Sequence, residues 1–147
     1  MLSFARRARL ALGLVTATLV LAAGAARAEG GPVHQLRIYE IFEENKQAFH
    51  ERFRDHAARI MKRHGFKIAA MWEARGEDRT EFVYLLAWPD EETMRARWAA
   101  FMADEEWAAV KRETGAVHGR LVGAIEDRVL RLTDYSPAPA EALQSAR

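Results

Sequence analysis

The rhythm of polar and apolar positions changes several times along the chain, and each change marks an element. Residues 33–41 read VHQLRIYEI. They alternate in type and are rich in β-branched and aromatic residues, which predicts a strand. Over 44–64 the spacing turns helical. Phe49, Phe53, Ala57, Ile60 and Met61 recur at intervals of three and four on one face. Gly65 then supplies a C-terminal stop. Residues 66–75, FKIAAMWEAR, predict a second strand, 76–79 a turn, and 80–88, TEFVYLLAW, a third strand, so these two form a hairpin. Pro89 ends the hairpin, and Asp90 is an N-cap with Glu91 and Glu92 in the first turn. That helix is expected to run to about Ala103, with Met94, Trp98, Phe101 and Met102 on one face. Asp104 caps a further short helix through Trp107 and Val110 to about Thr114. Three glycines within 115–123 predict a loop, 124–132 a last strand, and Pro137 and Pro139 a loose tail over 136–147.

The order β-α-β-β-α-(α)-β predicts an α+β, ferredoxin-like fold, with a four-stranded antiparallel sheet and the helices on one face. The third strand is apolar almost without break from Phe82 to Trp88. That pattern predicts burial on both faces. A single domain of this length has no spare layer for the second face. The expected cover is another copy of the same sheet, in a homodimer.

A different kind of segment precedes the first strand. Residues 2–9 contain Arg6, Arg7 and Arg9 and no acid, 10–23 are apolar or small throughout, and Ala26-Arg27-Ala28 offers a small-x-small cleavage site. Basic, apolar and small in that order is the layout of a secretory signal peptide. The apolar stretch is shorter than the roughly 20 residues of a spanning helix. Residues 1–28 are therefore expected to be a cleavable Sec-type signal, leaving one domain over 29–135 and no stable membrane span. Arg6-Arg7 also raises the twin-arginine route, whose motif the neighbouring residues fit poorly.

Cleavage changes the charge. The whole chain has 22 basic and 21 acidic side chains, a formal net of +1. The first 28 residues hold four of the arginines and no acid, so the remainder carries 18 against 21, a net of −3. A mildly acidic domain without a Lys/Arg block gives no electrostatic case for nucleic acid. The chain has no cysteine, which excludes disulfides, thiolate metal sites and thiol nucleophiles.

The stretch from Val33 to about Tyr135 resembles the NIPSNAP domain of the dimeric α/β-barrel superfamily. Three pieces carry the resemblance: Gln35-Leu36-Arg37-Ile38-Tyr39, similar to the family's Leu-Arg-x-Tyr opening; His64-Gly65-Phe66 leading to Met71-Trp72 and then 82–88, FVYLLAW; and Trp98-Ala99-Ala100-Phe101 with Asp104-Glu105-Glu106-Trp107, similar to Trp-x-x-Phe and Asp-x-x-Trp. Gln35 stands where the family commonly has an acid. The resemblance implies a ferredoxin-like dimer and no particular reaction. Together with the export signal it places the protein in the bacterial periplasm. Neighbouring families on the fold include cofactor-independent monooxygenases, which hold substrate between helices and sheet.

Candidate chemistry is sparse. His56 falls within the Phe49–Phe53–Ile60 stripe at about 100° per residue, so it should point at the sheet. It could act there as an acid–base group or be a hydrogen-bonded core histidine. His56 and Tyr84 are the catalytic candidates of the enzyme alternative. Arg37 and Tyr39 share one face of the first strand with Gln35. A buried Arg37 could hold a carboxylate ligand or pair with an acid across a dimer interface. Trp72 and Trp98 are further candidates for an aromatic ligand pocket, although core packing also explains such residues. No phosphate loop, dinucleotide fingerprint or paired-histidine metal motif is present. Neither cofactor nor metal is expected. The reading that follows is a dimeric module binding a small hydrophobic or aromatic molecule, or a protein partner.

Overall fold

The computed structural model describes residues 31–76 and 78–137. The signal segment 1–28, Glu77 of the turn and tail residues 138–147 lie outside the described residues. Four strands form one antiparallel sheet: β1 (Val33–Ile41), β2 (Lys67–Arg75), β3 (Thr80–Trp88) and β4 (Ile125–Leu130), in the order β2-β3-β1-β4. The two long strands β1 and β3 lie at its centre, paired from Val33↔Trp88 to Ile41↔Thr80. β2 joins β3 through the hairpin, and β4 returns beside β1. This is the ferredoxin-like arrangement expected from the element order.

Three helices cover one face. The first, α1, spans 46–63 and is continuous through three stretches, Lys46–Arg52, Phe53–Ala57 and Ala58–Arg63. The others are α2 (Glu91–Met102) and α3 (Glu105–His118). Asp90 caps α2 by accepting from the Thr93 N–H at 2.6 Å, and Asp104 caps α3 by accepting from the Trp107 N–H at 3.0 Å. Helix α3 runs past the end expected at Thr114. Gly115 costs only about 1 kcal/mol relative to alanine inside a helix. The chain turns at Gly119 instead, where φ is +72°. No helix among the described residues is long and apolar enough to cross a membrane.

Alternation on β3 is strict. Thr80, Phe82, Tyr84, Leu86 and Trp88 are buried under the helices, and Glu81, Val83, Leu85 and Ala87 on the far face are half-buried. The core joins these side chains to Phe49, Phe53, Ile60 and Met61 of α1, Met94 and Phe101 of α2, and Leu121 of the α3–β4 loop. None of the described helices lies over the far face of the sheet. Its apolar row of Leu36, Ile38, Val83 and Leu85 is the surface for which a second sheet was expected.

Two local irregularities change which side chains reach the helix side. Within α1 the Ala58 N–H bonds the Phe53 carbonyl, five residues back, so one turn is a π-turn. In β2 the pairing steps from Ile68↔Leu86 to Ala70↔Leu85, which leaves Ala69 as an extra residue in a β-bulge.

Candidate functional site

Period-two alternation on β1 sends Gln35, Arg37 and Tyr39 toward the helices. Gln35 is 1% exposed and bonded at both ends of its amide. Its Nε2 donates to the two Asp127 carboxylate oxygens at 2.9 and 3.0 Å. Its Oε1 accepts from the indole N–H groups of Trp88 at 3.1 Å and Trp98 at 2.7 Å. All four hydrogen-bonding positions of the amide are used, so its orientation is locked. That amide holds the Trp98 ring in place.

Arg37 lies against that ring, its guanidinium carbon 4.6 Å from the Trp98 centroid. Its Nη1 donates to Asp127 at 2.8 Å and its Nη2 to the Tyr39 hydroxyl at 3.3 Å. The Tyr39 hydroxyl meets that of Tyr84 at 2.7 Å. The Arg37 Nε is buried without a hydrogen-bond partner among the described residues. Burial disfavours the charged guanidinium, while the hydrogen bond to the Tyr39 hydroxyl and the Asp127 carboxylate favour it; the net direction is upward, so Arg37 stays charged. Burial, aided by Tyr39, holds Tyr84 well above the ordinary tyrosine value, and its hydroxyl stays protonated.

Above this polar line the sheet, the three helices and the α3–β4 loop enclose a cavity of about 250 Å³. Phe49, Phe53, Ala57 and Met61 line it from α1, Trp98, Phe101 and Met102 from α2, and Trp107 from α3. Arg37 and Tyr39 line the sheet side. The remaining polar groups are two further cations, Arg52 and Lys111, and no carboxylate of the described residues lines the cavity. The Arg52 guanidinium sits 5.8 Å and the Lys111 ammonium 5.6 Å from the centroid of the same Trp107 ring. Arg52 has one weak hydrogen bond, to Thr114 Oγ1 at 3.4 Å, and no ion pair among the described residues. Burial lowers its pKa from the ordinary arginine value, offset slightly by Tyr39.

The structure brings together Arg37, Tyr39 and Trp98 of the residues singled out from sequence. Tyr84 is fully buried, meets Tyr39 hydroxyl to hydroxyl and is not among the cavity-lining residues. Trp72 is 43% exposed on the far face, opposite Val83. Counting in twos from Ile68 would put it under the helices. The extra Ala69 reverses that parity.

His56 is also displaced from the orientation expected of it. It is half-buried and lies outside the cavity lining. The π-turn is the cause. It advances each residue by less than the roughly 100° of an α-turn, which keeps Ala57 inward and leaves His56 at the edge of the stripe. The other histidines are engaged elsewhere. His50 Nε2 lies 3.1 Å from Glu73, and His64 Nε2 lies 2.6 Å from Asp104. Arg52 and Lys111 escaped the sequence reading. The available signals were Arg52 three residues after Phe49 on the apolar stripe and Lys111 four residues after Trp107.

The NIPSNAP family model matches residues 34–137. Among solved structures, a NIPSNAP-like domain protein from Burkholderia xenovorans superposes with a TM-score of 0.62 at 19% identity, over 73% of this chain and 90% of that one. Two NIPSNAP family proteins from Agrobacterium tumefaciens also give TM-scores of 0.62. One is 18% identical, over 72% of this chain and 97% of its own, and the other 19% identical, over 73% and 93%. None of the curated proteins matches the chain at a significant level. The order of the elements, the sheet topology and the family match over nearly all the described residues agree, and the chain belongs to the NIPSNAP family.

Proposed function

We propose that this chain is an exported NIPSNAP protein that works as a homodimer and binds a small hydrophobic or aromatic molecule in the helix–sheet cavity. The observation that carries the binding reading is the cavity of about 250 Å³ with its aromatic wall. Ligand pockets combine an apolar lining with a few fixed polar groups. Here the Gln35 amide fixes Trp98, and Trp98 and Asp127 position Arg37. Export is supported by the basic, apolar and small layout of residues 1–28, and dimer formation by the uncovered apolar row on the far face of the sheet. An acid–base enzyme would need His56 and Tyr84 at the ligand. Neither lines the cavity, so the binding reading is favoured.

Native mass spectrometry of the protein isolated from the periplasmic fraction tests the whole reading. The expected species is a pair of chains, each beginning at Glu29, with a small molecule retained. Calorimetry with 1-octanol as a neutral probe tests the cavity alone. Recovery of the uncleaved chain from the cytoplasm would refute export. Absence of binding by any small apolar probe would refute the binding role.

A further inference from the structure

We infer that the ligand of this cavity is an amphipathic carboxylate, with its head held by Arg52 and Lys111 and its apolar body against the aromatic wall. The inference rests on the binding role proposed above and adds the charge and size of the molecule bound.

Charge is the first argument. Three cationic residues line one small cavity, and no acid among the described residues does. Asp127 neutralises part of Arg37 from the sheet side, through Nη1. Arg52 and Lys111 have no such partner among the described residues and lie beside the same indole ring. A ligand carboxylate beside that ring would give both cations an ionic partner and accept charge-assisted hydrogen bonds, which are about twice as strong as neutral ones. A cationic ligand would meet three like charges.

Unused hydrogen-bonding capacity is the second argument. Arg52 makes one weak side-chain hydrogen bond, to Thr114 Oγ1 at 3.4 Å, and the Lys111 ammonium makes none among the described residues, so most of their donors are open to an anionic oxygen. Size is the third argument. Taking about 30 Å³ per water-sized group, a volume of about 250 Å³ holds roughly eight such groups. That suits a medium-chain or aryl-alkanoic acid.

Three probes of equal length separate the possibilities: octanoate, 1-octanol and octylammonium, titrated calorimetrically into the purified protein at low salt. Octanoate should bind about tenfold or more tightly than 1-octanol, the scale of one hydrogen bond to a charged group. Octylammonium should bind weakest, and added sodium chloride should weaken octanoate alone. Arg52→Gln should cut octanoate affinity about tenfold, leave 1-octanol unchanged and not lower the Tm of the unliganded protein. Lys111→Gln makes the same comparison if Arg52→Gln folds poorly. If 1-octanol matches or exceeds octanoate, the anionic ligand is overturned and the apolar cavity stands. If no probe binds, the binding role fails and this inference with it. A fall in Tm for Arg52→Gln with octanoate affinity unchanged would make Arg52 structural and would also overturn the inference.

Discussion

Position 35 illustrates how one side chain is chosen by its neighbours. Gln35 is the rare polar residue of the core, and its amide gives to Asp127 while accepting from two indoles. A glutamate there could accept from the indoles but could not donate to Asp127. Gln35→Glu should therefore cost about 2–4 kcal/mol, because it sets two carboxylates side by side and removes two hydrogen bonds. Adding Asp127→Asn returns a donor to the pair and should recover at least half of the loss. Urea denaturation of the two single variants and the double variant measures this coupling, and additive losses would refute it. Arg37, Tyr39 and Trp98 were legible from the sequence because strand alternation has a period of two and the α2 stripe is regular. Arg52 was not, since a charged residue flanking an apolar helical stripe ordinarily belongs to the solvated face.

Elements departed from their simple periods where the chain inserted a residue, at the π-turn of α1 and at Ala69 in β2. Hydrophobic spacing reveals the element but not an insertion inside it, so His56, expected to point at the sheet, and Trp72, a candidate for the pocket, both lie outside the cavity lining. The π-turn makes a testable demand on α1. It absorbs one extra residue between Phe53 and Ala57. Deleting exposed Asp55 should convert it to an ordinary turn and leave Ile60 and Met61 in the core, with a native circular dichroism spectrum. Deleting Arg59, beyond the turn, should rotate those two side chains by about 100° and cost about 4 kcal/mol or more. Equal tolerance of both deletions would refute the assignment. The junction of α2 and α3 makes a second demand. The Asp104 carboxylate is bonded by His64, Arg63 and the Trp107 N–H, in that order of effect, and these hold its pKa well below the ordinary value of 3.8. A depressed carboxyl pKa stabilises the fold above the unfolded value and loses that contribution as pH falls through the folded one. Asp104→Asn keeps a capping side chain but cannot ionise. The stability gap between wild type and this variant should close progressively as pH falls below about 4. Thermal melts across that range measure it, and a gap that widens in acid would contradict the assignment.

At the scale of the whole molecule the two faces of the sheet pose opposite problems. The helix face is filled by aromatic packing around one cavity. The far face carries Leu36 and Ile38 of β1, Val83 and Leu85 of β3, and Trp72 of β2, with none of the described helices over them. Charges gather at one end of that face, where Arg79 bridges Glu81 and Glu126 at 2.6 and 2.7 Å. An apolar centre with a charged rim is the anatomy of a protein interface. The continuous apolar run of β3 signalled such a cover in the sequence, whereas alternation alone would have predicted polar residues at 83 and 85. The proposed homodimer turns this into a measurement. Val83 points away from the helix core, so Val83→Lys should leave the fold and its circular dichroism intact. It should also set a charge in the middle of each sheet where two copies meet, like against like and out of water, a cost of several kcal/mol. Sedimentation equilibrium at micromolar concentration should show a dimer for the wild type and a monomer for Val83→Lys. The neighbouring change Glu81→Gln, at the rim, should keep the dimer, because rim charges are solvated and contribute little. A wild type that sediments as a monomer would remove the dimer from the reading and leave the cavity on the opposite face unaffected.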